Sequence, residues 1–401
     1  MDRPLTVRTI SAETHLEFVR RREASAATSF LQTPAWARVK PEWRAESIGW
    51  FDTSATDPVG AGLVLYRQLP RIRRYLAYLP EGPLLDWESD QVGERLSDWL
   101  APMTRHLAAQ GSFAVRMGPP VATRRWSADQ VKRGMADPKV GRLDELPPTT
   151  RSSSGARIVS QLRESGWRPP ATTGGFAAGQ PQYVFQIPLR HPDGTARTEA
   201  ELLAGMNQLW RRNIKKADQL GVVVSTSSAS AAATTPPAVG AVEDQVRAFH
   251  TLYVETAERD HFTPRPAAYF ATMVANLSGE DSDRIKLWFA HHEGDLVAAT
   301  IAIRVGKHTW YSYGASSSAK REVRASNAIQ WAMIRDALAT GADVYDLRGI
   351  TDTLASDDPQ LGLIQFKVGT GGEAVEYAGE WDLPLNRALY AAFDLYLKRR
   401  R

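Results

Sequence analysis

The sequence predicts an α/β protein made of two copies of one layered unit. Two observations carry this. The order strand, strand, helix, strand recurs in both halves of the 401 residues, and in each half a glycine stops the helix just before the last strand. A third supports it: 43% hydrophobic and 23% charged residues is ordinary globular usage, and the length suits two or three domains.

Taken in order, Ala61–Arg67 reads as a strand, and Tyr75–Leu79 as a second that ends in Gly82-Pro83. An amphipathic helix covers Leu96–Ala109, and Gly111–Met117 returns as a strand. In the second half Leu296–Arg304 and His308–Tyr313 are the strands, the latter ending at Gly314. Asn327–Thr340 is the helix and Gly341–Arg348 the closing strand. Strands alternating with helices imply a layered α/β domain. This order is that of the acyltransferase fold built on a splayed mixed sheet, so two tandem acetyltransferase-like domains are expected. Thr123–Pro170, rich in Arg, Ser, Pro and Thr, reads as a surface excursion with one or two short helices. Ser225–Gly240 reads as a small-residue loop, and a hinge is expected near Gly174–Pro181, before a strand at Tyr183–Ile187.

Absences narrow the chemistry. Without cysteine there is no disulfide framework, zinc-thiolate site, iron–sulfur cluster or thiol nucleophile. The eight histidines do not cluster at ligand spacing and no H-E-x-x-H occurs, so no catalytic metal is expected. There is no P-loop and no G-x-S-x-G elbow. Nor is there an R-x-x-G-x-[GA] turn for coenzyme A; Lys367–Gly372 comes nearest with the wrong spacing. An acyl donor other than coenzyme A, and no cofactor, are therefore expected. Met1–Thr14 carries both charge signs and lacks an apolar stretch, and no run nears the ~18 apolar residues of a membrane span, so a cytoplasmic protein is expected. The net charge of +4 permits anionic partners. Arg67–Arg74 and Lys398–Arg401 are basic clusters suited to anionic headgroups at the inner membrane face; solvated charge is the plainer reading and is preferred for the tail alone.

Four segments carry candidate chemistry. Arg211, Arg212, Lys215 and Lys216 form a like-charged ridge at i, i+4 on a helix, suited to a diphosphate or a tRNA backbone, or merely an exposed face. Lys367 stands between Phe366 and a glycine turn, where it would stabilise the oxyanion of an acyl transfer; the plainer reading is a snorkelling lysine at a strand end. Arg265 precedes a helix starting near Pro266, with Tyr269 one turn inside, a pair able to grip a phosphate or carboxylate; otherwise it is a capped helix with Arg259 and Asp260 paired on the surface. Trp310–Gly314 alternates aromatics on a strand, one facing the core and its neighbour a cleft.

These segments resemble a known family. Phe30–Trp36 with Lys40, Tyr78–Pro83, Trp210–Ala217, Arg259–Tyr269, Tyr313–Ser316, Tyr345–Ile350 and Phe366-Lys367 are similar, in order, to the motifs of FemXAB-type peptidoglycan bridge-forming aminoacyltransferases, over nearly the whole chain. The pattern looks most like actinobacterial members that add glycine to lipid II. The resemblance implies two acetyltransferase-like domains, 1–178 with 380–401 and 179–379, the helix Leu385–Lys398 returning to the first, the precursor-binding side. It implies transfer of an amino acid from aminoacyl-tRNA to the stem-peptide amine of lipid II or UDP-MurNAc-pentapeptide; a monomer is expected. Lys40, Arg265 and Tyr269, with Tyr311 or Tyr313, would hold the precursor's diphosphate end, and Lys367 would act at the acyl-transfer centre. Two departures stand out. An acidic residue near the acceptor amine in some members is replaced by Met117-Gly118-Pro119, which leaves the general base unassigned, and the short stretch from Tyr269 to Ile285 has no room for a coiled-coil arm. A biosynthetic enzyme using aminoacyl-tRNA, or a non-catalytic tRNA- or lipid-binding protein, are the alternatives.

Overall fold

A computed structural model describes residues 5–24, 27–52, 56–170, 179–226 and 239–399. The chain divides into two compact units. Unit 1 comprises Met1–Trp126, Pro148–Tyr183 and Val375–Arg401, and unit 2 comprises Ser127–Pro147 and Val184–Ala374. The chain therefore visits unit 2 at Ser127–Pro147, a crossing absent from the expected division.

Along the chain come β1 (Thr6–Thr9), α1 (Ala12–Glu23), α2 (Pro34–Val39), β2 (Arg44–Phe51), β3 (Gly60–Leu69) and β4 (Ile72–Leu79). Then follow α3 (Asp90–Glu94), α4 (Leu96–Ala109), β5 (Ser112–Met117), β6 (Ala122–Ser127), α5 (Ala128–Ala136), β7 (Thr150–Arg151) and α6 (Ser153–Glu164). Unit 2 continues with β8 (Tyr183–Pro188), α7 (Glu199–Gly205), α8 (Gln208–Gln219), β9 (Val223–Thr226), α9 (Val239–Asp260) and α10 (Ala267–Glu280). Next are β10 (Ile285–His292), β11 (Asp295–Val305), β12 (His308–Ser316), α11 (Ala325–Ala339), β13 (Val344–Gly349), α12 (Leu361–Val368) and β14 (Glu373–Tyr377). β15 (Trp381–Pro384) and α13 (Arg387–Arg399) close the chain in unit 1.

The sheet of unit 1 has the order β1-β2-β3-β4-β5-β15, antiparallel except for the parallel pair β4–β5. In unit 2 the order β8-β13-β12-β11-β10-β9 is likewise antiparallel except for β12–β13. Each parallel pair is joined by a crossover helix, α4 or α11, because parallel neighbours cannot be linked by a tight turn. The expected repeat is thus β3-β4-α4-β5 and β11-β12-α11-β13, the mixed-sheet architecture read from the sequence. α4 buries Leu96, Leu100, Met103 and Leu107, spaced three and four apart, against Trp50, Val64, Leu79 and Val115. α10 leads into β10 with no arm between them, and among the described residues no helix is long and apolar enough to cross a membrane.

Thr123–Pro170 is not a surface excursion. Trp126, Val131, Leu143, Ile158, Leu162 and Trp167 are buried. Its polar composition is misleading because the serines cap helices: Ser127 caps α5 and Ser152 caps α6. α13 packs on unit 1, with the Phe113 and Phe393 rings 5.5 Å apart. The expected loop falls mostly on residues 227–238 and the hinge mostly on 174–178; both lie outside the described residues.

Candidate active site

Lys367 lies in the last turn of α12 rather than at a strand end, and it is 4% exposed, so it does not snorkel. Its Nζ donates to the carbonyl of Gly349 at 2.6 Å and to that of Arg348 at 3.4 Å. Those carbonyls are aimed by an irregularity at the end of β13, where the pairing with β8 shifts register between Asp346 and Gly349 and Arg348 takes φ +63°. Asp346 fixes the turn: its Oδ1 accepts the Arg348 N–H at 2.6 Å, while Oδ2 accepts from Gln186 Nε2 at 2.9 Å and pairs with His308 at 3.2 Å. Burial opposes the charge of Asp346, but these partners outweigh it and hold the carboxyl below its ordinary range. Burial brings the Lys367 ammonium down to about 7, with Asp346 opposing and Arg348 assisting.

The glycines after Lys367 serve packing, not the approach of a ligand. A Cβ on Gly369 would lie 2.3 Å from the Trp210 ring, and one on Gly372 would lie 2.1 Å from the Gln186 carbonyl oxygen. Trp210 Nε1 in turn donates to the Phe366 carbonyl at 2.9 Å, locking α8 to α12.

Beside Phe366 opens a cavity of about 390 Å³, lined by Trp210 and Asn213 of α8, Gln365 and Phe366 of α12, and Arg321 and Arg324. The cations of the α8 ridge do not line it; Arg211, Arg212, Lys215 and Lys216 are all exposed on other faces of the helix. Arg211 is committed to the preceding turn, donating to the carbonyls of Ala204 and Met206. Sequence reasoning missed Arg321 and Arg324. They flank a short turn in which Arg324 takes φ +61° ahead of α11, a conformation that no local pattern signalled.

A second cluster in unit 2 joins Arg265, Tyr269 and Tyr313. The Tyr269 and Tyr313 hydroxyls are 3.1 Å apart, and the exposed Arg265 guanidinium lies 4.8 Å from the Tyr269 ring centre. Pro266 stands in the N-cap position of α10, one residue ahead of the first turn expected for it and without a side-chain cap bond, and Arg259 pairs with Asp260 at 2.9 Å. Tyr311 is not part of this cluster. Ile301 pairs with Tyr313 and Ala302 with Tyr311, so Ser312 is a bulged extra residue and the two tyrosines face opposite sides of the sheet. Tyr311 turns toward Gln330 of α11, and burial pushes its hydroxyl up to about 12.

In unit 1, Lys40 ends α2 half-buried, its ammonium 6.0 Å from the Trp36 ring centre. Gln32 explains much of the Phe30–Trp36 motif: fully buried, it donates to the Pro80 carbonyl at 2.8 Å and accepts from the Leu63 N–H at 2.9 Å. At the ends of β4 and β5 a second unit 1 group escaped sequence reasoning: Tyr78 Oη donates to Glu380 at 2.5 Å. Among the described residues no group of three or more His, Asp or Glu could hold a metal ion.

Comparison with known proteins adds to this geometry. The model of the FemAB family matches residues 10–291 and 286–398. A UDP-N-acetylmuramoylpentapeptide-lysine N(6)-alanyltransferase of Weissella viridescens is 27% identical over 95% of this chain and 96% of its own. A lipid II:glycine glycyltransferase of Staphylococcus saprophyticus is 20% identical over 96% of this chain and 94% of its own. The crystal structure of FemX superposes with a TM-score of 0.74 at 19% identity, covering 97% of this chain and 99% of that one, which establishes a shared fold.

Proposed function

The chain belongs to the FemAB family, and on that premise we propose that it transfers an amino acid, glycine in the first instance, from aminoacyl-tRNA to the stem-peptide amine of lipid II or its nucleotide precursor. The observation that carries the reading is Lys367: a buried ammonium held against two backbone carbonyls, with Phe366 opening onto a cavity rimmed by arginines. Such a group supplies charge where a tetrahedral intermediate develops its oxyanion, and it has already been stripped of water. The rest of the catalysis is positioning, because the ester arrives activated. Arg265, Tyr269 and Tyr313 anchor the precursor's diphosphate end, and Lys40 is proposed for the same role from the family resemblance alone. Arg212, Lys215 and Lys216 meet tRNA phosphates.

The protein works as a cytoplasmic monomer at the inner membrane face. Membrane contact is supported by the β3–β4 hairpin, which exposes Arg67, Arg71, Arg73 and Arg74 around a 47% exposed Ile72.

The deciding experiment transfers radiolabelled amino acids from a total charged-tRNA pool to lipid II and, separately, to UDP-MurNAc-pentapeptide. Label on either acceptor establishes the reaction and names the amino acid. Folded protein that labels neither moves the assignment to a biosynthetic acceptor or a binding role.

A further inference from the structure

We infer that Asp346 is a positioning residue of the transfer reaction, aiming the Lys367 ammonium by bracing the turn that carries its two acceptor carbonyls; the inference rests on the aminoacyl-transfer reading. Three features of unit 2 converge on it. The first is the turn. β13 loses its register with β8 between Asp346 and Gly349, and there Arg348 takes φ +63°. A non-glycine residue in that left-handed region costs energy and persists only where its surroundings impose it. The imposing contact is the Arg348 N–H, which donates to Asp346 Oδ1 at 2.6 Å.

The second is what the turn carries. Lys367 Nζ donates to the Gly349 carbonyl at 2.6 Å and to the Arg348 carbonyl at 3.4 Å, and both carbonyls belong to that turn. An ammonium has three N–H groups at tetrahedral spacing. Two are committed here, and among the described residues the third has no hydrogen-bond partner. Its direction is therefore set by where the turn holds the two carbonyls. An oxyanion donor works by being aimed before the charge develops, so an error of about 1 Å in the turn would cost on the order of 100-fold in rate.

The third is charge. Asp346 sits inside the sheet, opposite Gln186 of β8 and Trp310 of β12. Its Oδ2 accepts from Gln186 Nε2 at 2.9 Å and pairs with His308 at 3.2 Å, and the His308 ring is itself stacked on Trp310 with centroids 4.1 Å apart. Asp346, Gln186 and His308 are all buried, so the carboxylate is held at both oxygens away from water. A neutral amide would brace the turn without the desolvation that a buried charge incurs. What the charge adds is felt at the ammonium: burial disfavours protonated Lys367, Asp346 favours it, and the Arg348 guanidinium disfavours it.

The other titratable groups around the pair are His308 of β12 and Tyr345 of β13; β8 contributes the neutral Gln186. Burial, and then Tyr311, push the Tyr345 phenol up, so it stays neutral where Lys367 titrates at about 7. Burial opposes the charge of Asp346, but His308, Arg348 and Gln186 outweigh it and keep the carboxyl ionised there. Near neutral pH the Asp346 charge is therefore constant and Lys367 is the partner that changes.

The test is steady-state transfer to lipid II, with glycyl-tRNA and alanyl-tRNA as donors, across pH 5 to 9 for wild type, Asp346→Asn, Asp346→Ala and Gln186→Met. In parallel the Lys367 ammonium is titrated by NMR of protein labelled at the lysine side-chain carbons, its signal identified by its absence from Lys367→Met. Asp346→Asn keeps an acceptor for the Arg348 N–H but loses the charge. It is expected to keep kcat within about tenfold of wild type at the acidic end, and to move both the alkaline limb of the profile and the Lys367 midpoint down by about one pH unit. Asp346→Ala is expected to lower kcat by about 10²-fold at every pH, with both KM values within a few-fold. Gln186→Met, which removes one donor to the carboxylate, is expected to lower kcat by about three- to tenfold, and it decides the matter if Asp346→Ala does not fold. A limb or a midpoint left unmoved in Asp346→Asn overturns the inference. So does kcat within about twofold of wild type in Asp346→Ala, or in Gln186→Met where the alanine variant is unfolded. Wild-type protein that transfers to neither lipid II nor UDP-MurNAc-pentapeptide overturns the aminoacyl-transfer reading instead, and the Lys367 midpoint in Asp346→Asn then still shows whether Asp346 governs the ammonium.

Discussion

Lys367 shows how one side chain can be costly to the fold and useful to the reaction. Its ammonium pKa falls from the ordinary lysine value to about 7, so folding disfavours the protonated form. The sign follows from proton counting: between about pH 7 and the ordinary lysine range the unfolded chain binds the proton and the folded chain does not, so stability rises with pH across that window. Lys367→Met is therefore expected to melt above wild type at pH 7, with the gap closing as pH approaches 10, in thermal scans at fixed ionic strength. Lys367→Ala should lower kcat by about 10²–10³-fold, the scale of removing one oxyanion donor, while sparing tRNA binding. Wild-type activity should decline as pH rises through about 7, where the ammonium is lost. The two tyrosines of β12 make a sharper comparison. Tyr313→Phe removes a hydroxyl 3.1 Å from that of Tyr269 and should raise KM for the nucleotide precursor by about three- to tenfold, the range of one hydrogen bond. Tyr311→Phe, on the opposite face, should leave KM within twofold. Equal effects would refute the assignment of the site to the Tyr313 face.

At the scale of elements, the like-charged ridge of α8 is only partly available to a ligand. Because Arg211 holds the carbonyls of Ala204 and Met206, its removal would confound binding with stability. Arg212→Ala with Lys215→Ala is the cleaner pair. It is expected to weaken tRNA binding and to flatten the slope of log K against log salt by about 1–2, roughly one unit for each phosphate that is no longer neutralised. An unchanged slope removes the ridge from the tRNA surface. The β3–β4 hairpin gives the other element-scale test. Replacing Arg71, Arg73 and Arg74 by Ala should abolish sedimentation with vesicles containing anionic lipid at 0.1 M salt, at about 1 kcal/mol for each cation, while transfer to the soluble nucleotide precursor continues. The same scale shows where sequence reading stops. Helix α4 is legible because its apolar residues recur at helical spacing and because Gly111 ends it. The Ser312 bulge is not legible: an inserted residue leaves no mark on a run of aromatics, yet it turns Tyr311 away from Tyr313. Thr123–Pro170 misleads because residues that cap helices also mark loops in composition.

For the whole molecule, the sequence by itself determined that there are two copies of a mixed-sheet unit, each with one crossover helix. That information is local: periodicity, helix stops and strand composition lie within short windows. It also settled the ordered motifs that mark the family, and the absence of thiol, P-loop and coenzyme A signatures. Tertiary structure decided which of the marked residues meet. Lys367 became a buried ammonium only because β13 and α12, joined by a turn that Asp346 braces, present carbonyls to it. Glu380 lies far along the chain from Tyr78 and Gly118, and only the register of β15 on β5 makes them neighbours. Proton affinity and side-chain proximity depend on burial and on partners remote in sequence, and both of these are properties of the folded chain.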